Sequence, residues 1–173
     1  MSIFQAFIPN MYVNTIHQIH PEELLKKGIQ GVLTDLDNTL VRWDQPETTK
    51  EVTSWIESLQ ELGIQVYIIS NNSFIRVKEF AEPIQIPYLH KARKPLKKGF
   101  RKALQDMKLP ASKVALVGDQ VLTDVLGGNR MGLYTILVDP IGEKEYFTTK
   151  INRRIEKKIV RHLFNKGLIT WKR

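Results

Sequence analysis

At 173 residues, with 26 Lys and Arg against 18 Asp and Glu, the chain is long enough for one domain with a sizeable core and too short for two of ordinary size. It has no cysteine, which excludes disulfides and thiolate metal sites and makes a reduced cytoplasm the simplest setting. The surplus charge is confined, because residues 150–173 hold nine Lys or Arg against the single acid Glu156, while residues 1–149 hold 17 of each sign; a neutral body with a basic tail points to an anionic surface, membrane or nucleic acid.

In chain order, residues 1–10 have no basic n-region or small-residue cleavage site, and no apolar run approaches the ~20 residues of a spanning helix, so the chain is expected to be neither secreted nor integral. Ile3, Phe4, Phe7, Ile8, Met11 and Tyr12 recur at roughly helical spacing around Pro9, a short greasy lead-in. Pro21-Glu22-Glu23, then Leu24, Leu25, two lysines and Gly28, carry the start and stop signals of a short helix. Gly31-Val32-Leu33-Thr34 reads as a buried strand that delivers Asp35 and Asp37 to its carboxyl end, where open α/β sheets bind ligands. Two carboxylates crowded there repel, and a hard divalent cation relieves that repulsion, so the stretch reads as a metal-dependent phosphate site.

A helix with Val52, Trp55, Ile56, Leu59 and Leu62 on one face opens at Pro46 to Thr49 and ends at Gly63. Residues 64–69 form the next strand, ending in Ser70-Asn71-Asn72, which suits a turn and the start of a helix running to about Phe80. Pro83 and Pro87 bracket an edge strand at Tyr88-Leu89 before Lys91-Ala92-Arg93-Lys94-Pro95 and a helix through Phe100, Leu104 and Met107. Residues 113–117 are a buried strand that ends in Gly118-Asp119, with Thr123-Asp124 just beyond, and residues 134–138 are the final strand. Alternation of strand and helix predicts a three-layer α/β/α fold with a parallel sheet, which gathers the polar groups at one edge. There Asp35, Asp37, Asp119 and Asp124 supply carboxylates, Ser70 a hydroxyl and Lys94 a fixed positive charge, the set that phosphoryl transfer needs.

Asp35-Leu36-Asp37-Asn38-Thr39, Ser70, Lys94 and Gly118-Asp119 with Thr123-Asp124 resemble the four ordered motifs of haloacid dehalogenase (HAD) superfamily phosphatases. The resemblance implies a Rossmann-like HAD fold with Asp35 as nucleophile, Asp37 as general acid and base, and Mg2+ held by Asp35, Asp119 and the Asp37 carbonyl with help from Asp124. It further implies that Ser70 and Lys94, together with Asn38, Thr39 and Asn71, hold the phosphoryl group. Only 32 residues separate Asp37 from Ser70 and 23 separate Ser70 from Lys94, which leaves no room for a cap domain. A capless site in this superfamily is similar to those acting on bulky substrates, a lipid or a macromolecule. Across most of the chain these motifs look like the YqeG group of class IIIA phosphatases, similar in turn to mitochondrial phosphatidylglycerophosphate phosphatases, which implies a role in making phosphatidylglycerol.

From Ile151, apolar Ile155, Ile159, Leu163 and Phe164 alternate with Arg153, Arg154, Lys157, Lys158 and Arg161, a basic amphipathic helix. Such a helix lies on anionic membranes, with Trp171 near the interface; it can equally pack on the body or bind RNA. The leading expectation is a cytoplasmic phosphatase, peripherally attached to the inner face of the membrane through residues 150–173, acting on phosphatidylglycerophosphate with a body of residues 1–149. A nucleic-acid terminal phosphate or a phosphoprotein is the alternative substrate, and a non-catalytic binding protein the alternative class. Arg93, Asn129 and Arg130 lie close enough to the motifs to contact substrate.

Overall fold

The computed structural model describes residues 4–142 and 147–171. Six strands, β1 (Met11–Val13), β2 (Gly31–Thr34), β3 (Gln65–Ile69), β4 (Tyr88–Leu89), β5 (Val114–Gly118) and β6 (Tyr134–Val138), form one sheet in the order β1-β6-β5-β2-β3-β4. Every pairing is parallel. The central strand β2 is flanked by β3 and β5, with Leu33 level with Tyr67 on one side and Leu116 on the other. All four of its residues are buried, as expected of a strand covered on both faces.

Side-chain alternation sorts the core into two layers. On one face Val32, Val66, Ile68 and Val117 meet α2 (Lys50–Glu61) through Trp55, Ile56 and Leu59, and α3 (Phe74–Ala81) through Val77 and Phe80. On the other, Leu33, Tyr67, Ile69 and Leu116 meet Phe100, Ala103 and Met107 of α4 (Lys97–Met107). The expected helix starts are present as caps: the Thr49 hydroxyl accepts the Val52 N–H and the Ser73 hydroxyl accepts the Arg76 N–H. No domain is inserted between Asp37 and Ser70 or between Ser70 and Lys94, so the fold is capless.

The lead-in differs from its helical spacing. Residues Met11–Val13 are an edge strand beside β6, with Met11 and Val13 against the larger core and Tyr12 on the opposite side, where its hydroxyl donates to Asp139 Oδ1 at 2.8 Å. Over so short a run, periods of 3.6 and 2 fit the same apolar residues, and the free edge of β6 decides between them. The helix α6 (Phe147–Asn165) packs on the body: Val160 and Leu163 join Val121, Val125 and Leu137 in a third apolar cluster, and Ile155 faces outward. Among the described residues no helix is long and apolar enough to cross a membrane.

Candidate active site

The carboxyl ends of β2, β3 and β5 lie side by side and supply the site. Asp35 continues the β2–β5 pairing, its N–H donating to Val117 O at 2.9 Å, so the backbone that fixes the sheet also fixes this carboxylate. Asp119 follows β5 directly. Beyond it a π turn (Val121–Val125) leads into α5 (Leu126–Met131) and folds Asp124 back onto the strand end. That return requires Gly118, since a Cβ there would lie 2.3 Å from the Asp124 carboxyl carbon. Carboxylate oxygens of Asp35, Asp119 and Asp124, all buried, lie within 4.8 Å of one another, the hard oxygen donor set that suits Mg2+.

Lys94 closes the cluster from the other side of β2. Its Nζ stands 2.8 Å from Asp35 Oδ1 and 2.7 Å from Asp124 Oδ1, with almost no solvent exposure. Burial alone would lower the ammonium pKa, but the carboxylates of Asp124 and Asp35 outweigh it and hold Lys94 above its ordinary range. For Asp35 burial dominates: it pushes the carboxyl up to about 8, helped by Asp124 and Asp119 and opposed by Lys94.

Asp37 stands at the mouth of the cluster. Its Oδ1 accepts Arg76 Nε at 3.0 Å and its Oδ2 accepts Asn72 Nδ2 at 2.8 Å. Arg76 is itself spread across the loop after β2, donating to Pro46 O and Arg42 O, each at 3.3 Å. The pocket in front of these groups is about 280 Å³ and is lined by Asp35, Asp37, Asn38, Trp43, Ser70, Asn71, Asn72, Lys94, Gln120 and Thr123.

The remaining sequence-predicted residues take supporting positions. Asn38 adopts a left-handed backbone (φ 62°) and its Oδ1 accepts the Trp43 N–H, which shapes the turn below the pocket. The Thr39 hydroxyl donates to Asp119 Oδ1 at 3.1 Å. Buried Ser70 lines the pocket and accepts the Asn72 N–H at 3.1 Å. Both ends of the Asn71 amide engage the Lys94 backbone, Nδ2 to O at 3.1 Å and N–H to Oδ1 at 2.7 Å, which makes Asn71 a strut for the lysine loop. Asn129 donates to Ala6 O and Ile8 O, so it ties α5 to the lead-in.

Sequence reasoning missed Arg76 and misplaced Arg153. Arg76 sits in the first turn of α3 with nothing in its spacing to set it apart from other helical cations. Arg153, counted among the tail's surface charges, reaches from α6 into the site: it pairs with Asp119 Oδ2, donates to Asp119 O at 2.6 Å, and meets Glu156 Oε2 at 3.1 Å. Buried Glu156 in turn accepts the Leu122 N–H at 3.0 Å.

A family model described as haloacid dehalogenase-like hydrolase matches residues 5–132. The chain is 47% identical over 165 residues to "Probable phosphatase YqeG" of Bacillus subtilis, covering 95% of this chain and 96% of that protein. It is 27% identical to the chloroplastic/mitochondrial phosphatidylglycerophosphate phosphatase 1 of Arabidopsis thaliana, covering 95% of this chain and 50% of the plant protein. Among solved structures, the cobalt-bound deoxy-D-mannose-octulosonate 8-phosphate phosphatase of Haemophilus influenzae superposes with a TM-score of 0.55 at 14% identity, over 78% of this chain and 89% of that one.

Proposed function

The chain belongs to the haloacid dehalogenase-like hydrolases and is a phosphatase, and from that premise we propose that it is a magnesium-dependent phosphomonoesterase acting through an aspartyl phosphate on phosphatidylglycerophosphate at an anionic membrane surface. The observation that carries the chemistry is the arrangement of Asp35, Asp119, Asp124 and Lys94 behind Asp37 at the open end of the pocket. An Asp35 oxygen attacks phosphorus in line, the phosphorus–oxygen ester bond breaks, and Asp37 gives its proton to the departing alcohol oxygen. Asp37 then takes a proton from water, which attacks the aspartyl phosphate and releases inorganic phosphate with Asp35 restored. Lys94 holds a phosphoryl oxygen, and Ser70 with the backbone amides beyond β3 holds another. Asp35, Asp119 and Asp124 would hold Mg2+, which would supply neutralisation of the charge on the phosphoryl oxygens.

Two observations support this substrate: the site has no cap to enclose a small metabolite, and the named activity of the Arabidopsis relative is hydrolysis of this lipid. The deciding experiment presents phosphatidylglycerophosphate in mixed vesicles beside a 5′-phosphorylated oligonucleotide and a phosphopeptide at matched concentration. Phosphate release is expected from the lipid first; faster release from either of the others would reassign the substrate.

Two further outcomes arise from the geometry. Arg153 fixes one oxygen of Asp119 while Thr39 fixes the other, and removing such an outer partner of a metal-ligating carboxylate costs about 10–100-fold in metal affinity. Arg153→Ala is therefore expected to weaken Mg2+ binding by that factor, read by calorimetry, with Arg153→Lys recovering part of it. The second concerns pH. With the Asp35 carboxyl pushed up to about 8 from an ordinary 3.8, the folded metal-free protein holds a proton that the unfolded chain has lost. Its stability contribution is then full below about pH 4 and declines as pH rises toward 8. Mg2+ must displace that proton, so its binding is expected to tighten as pH rises over the same window and to release a proton below pH 8, measured by calorimetry in buffers of different ionisation enthalpy.

A further inference from the structure

The loops framing the pocket beyond β3 and β4 carry a surface that hydrolysis itself does not use. After β3 the chain passes through Ser70, Asn71 and Asn72 into α3; after β4 it passes from His90 to Leu96 into α4. The two runs are stitched together, with the Lys91 N–H donating to Asn72 O and the Ala92 N–H to Ser70 O, each at 2.9 Å, and with the rings of Phe74 and His90 edge to face at 5.2 Å.

On this stitched rim Phe74, Ile75 and Leu96 are 46%, 65% and 58% exposed. Single exposed apolar side chains are ordinary, but three at the starts of α3 and α4, beside the pocket, make a patch that calls for a partner. Bases dominate its Leu96 side, while on the α3 side Lys78 stands over the Phe74 ring and the exposed acids Glu79 and Glu82 lie farther along the helix. From His90 to Lys98 there are five Lys or Arg and no acid; Lys94 turns into the site, and Lys91, Arg93, Lys97 and Lys98 are exposed. The backbone enforces that division: Lys91 and Arg93 take left-handed conformations (φ 46° and 56°), which L side chains rarely adopt, and they alternate with buried Ala92 and Lys94.

We propose that this rim docks on an anionic lipid leaflet, with Phe74, Ile75 and Leu96 entering the boundary between headgroups and acyl chains and Lys91, Arg93, Lys97 and Lys98 on the lipid phosphates. Charge complementarity selects the occupant, since apolar side chains flanked by the four exposed bases between Lys91 and Lys98 match an anionic interface. Continuity with the site supports it, because Asn71, Asn72 and Lys94, from the same two loops, line the pocket. A leaflet on this rim presents its headgroups to the mouth of the pocket, where Asp37 stands in front of Asp35. The inference rests on the lipid reading of the substrate and adds which part of the body meets the surface, a role that the net charge of residues 1–149 conceals.

The test uses the full chain and sedimentation with vesicles of phosphatidylcholine, with and without phosphatidylglycerol. Two variants avoid the catalytic groups: the pair Ile75→Asp and Leu96→Asp, and the pair Lys97→Gln and Lys98→Gln. Each is expected to bind phosphatidylglycerol vesicles roughly tenfold more weakly than the parent and to lose a similar factor in hydrolysis of vesicle-borne lipid phosphate, while a soluble phosphomonoester is turned over at the parent rate. Unchanged vesicle binding in the lysine pair, whose surface charges cannot unfold the core, overturns the docking surface even if the aspartate pair misfolds. The parent's own activity judges the substrate separately: vesicle binding that depends on the rim, without hydrolysis of the lipid, keeps the surface and removes the substrate. A parent that sediments equally with and without phosphatidylglycerol, or prefers RNA at matched salt, removes the surface.

Discussion

Asp35→Asn is expected to abolish turnover, by about 10⁴-fold or more, and to leave the fold intact. An amide nitrogen or oxygen at that position cannot form the acyl phosphate, so the two-step route is closed. Stability should survive for a specific reason. Burial already pushes the Asp35 carboxyl up to about 8, so near neutral pH the metal-free protein holds it largely protonated, and a neutral amide of the same shape replaces a neutral acid. Lys94 keeps Asp124 as its partner at 2.7 Å and is not left as an unpaired buried charge. Thermal melting by circular dichroism should therefore differ little between parent and variant without metal, while the Mg2+-dependent rise in melting temperature shrinks in the variant. Phosphate release at the parent rate would remove Asp35 from the nucleophile role.

Asp37→Asn is expected to lower turnover of an alkyl phosphate by about 10²–10⁴-fold. An alkoxide is a poor leaving group without a proton, and an asparagine has none to give. With p-nitrophenyl phosphate, whose phenolate departs unaided, the first step should be nearly spared and the loss should fall on the second, where water needs a base. Rapid quench should then catch a burst of p-nitrophenol and an accumulated phosphoenzyme. Equal losses on both substrates, with no burst, would mean that Asp37 holds geometry and moves no proton. Arg76 and Asn72 grip the two oxygens of Asp37 in this structure, and an asparagine keeps one acceptor oxygen for Arg76 while giving up the Asn72 contact at the half-buried pocket mouth, so thermal melting of the variant is measured beside its turnover to separate lost chemistry from lost stability.

The run from Gly31 to Leu40 was legible because several local signals agree there: a β-branched buried strand, two carboxylates with period 2, and an asparagine where the backbone turns left-handed. The parallel sheet followed from strand and helix alternation, and the gathering of Asp119, Asp124, Ser70 and Lys94 followed from the sheet. The edge strand Met11–Val13 was not legible, since its partner β6 lies more than a hundred residues away and three residues carry no period of their own. Arg76 and Arg153 were not legible for a related reason. A helical arginine reads as solvated until the fold shows a carboxylate opposite it, and neither Asp37 nor Asp119 is near its arginine in the chain. Asn71 shows the converse, a residue found by its motif whose amide is turned to the backbone of the lysine loop.

The pairing of β1 with β6 and the grip of Arg153 on Asp119 together set an order of events during synthesis. The first strand to leave the ribosome has no edge to join until the sixth has emerged, and the acidic centre stays without its arginine until α6 follows. Such distant pairings make folding slow relative to local helix formation. The nascent chain is thus short of a complete reaction centre until α6 has emerged, and a ribosome stalled before residue 150 would carry a chain that has made its nucleophile but not the arginine that steadies the neighbouring carboxylate.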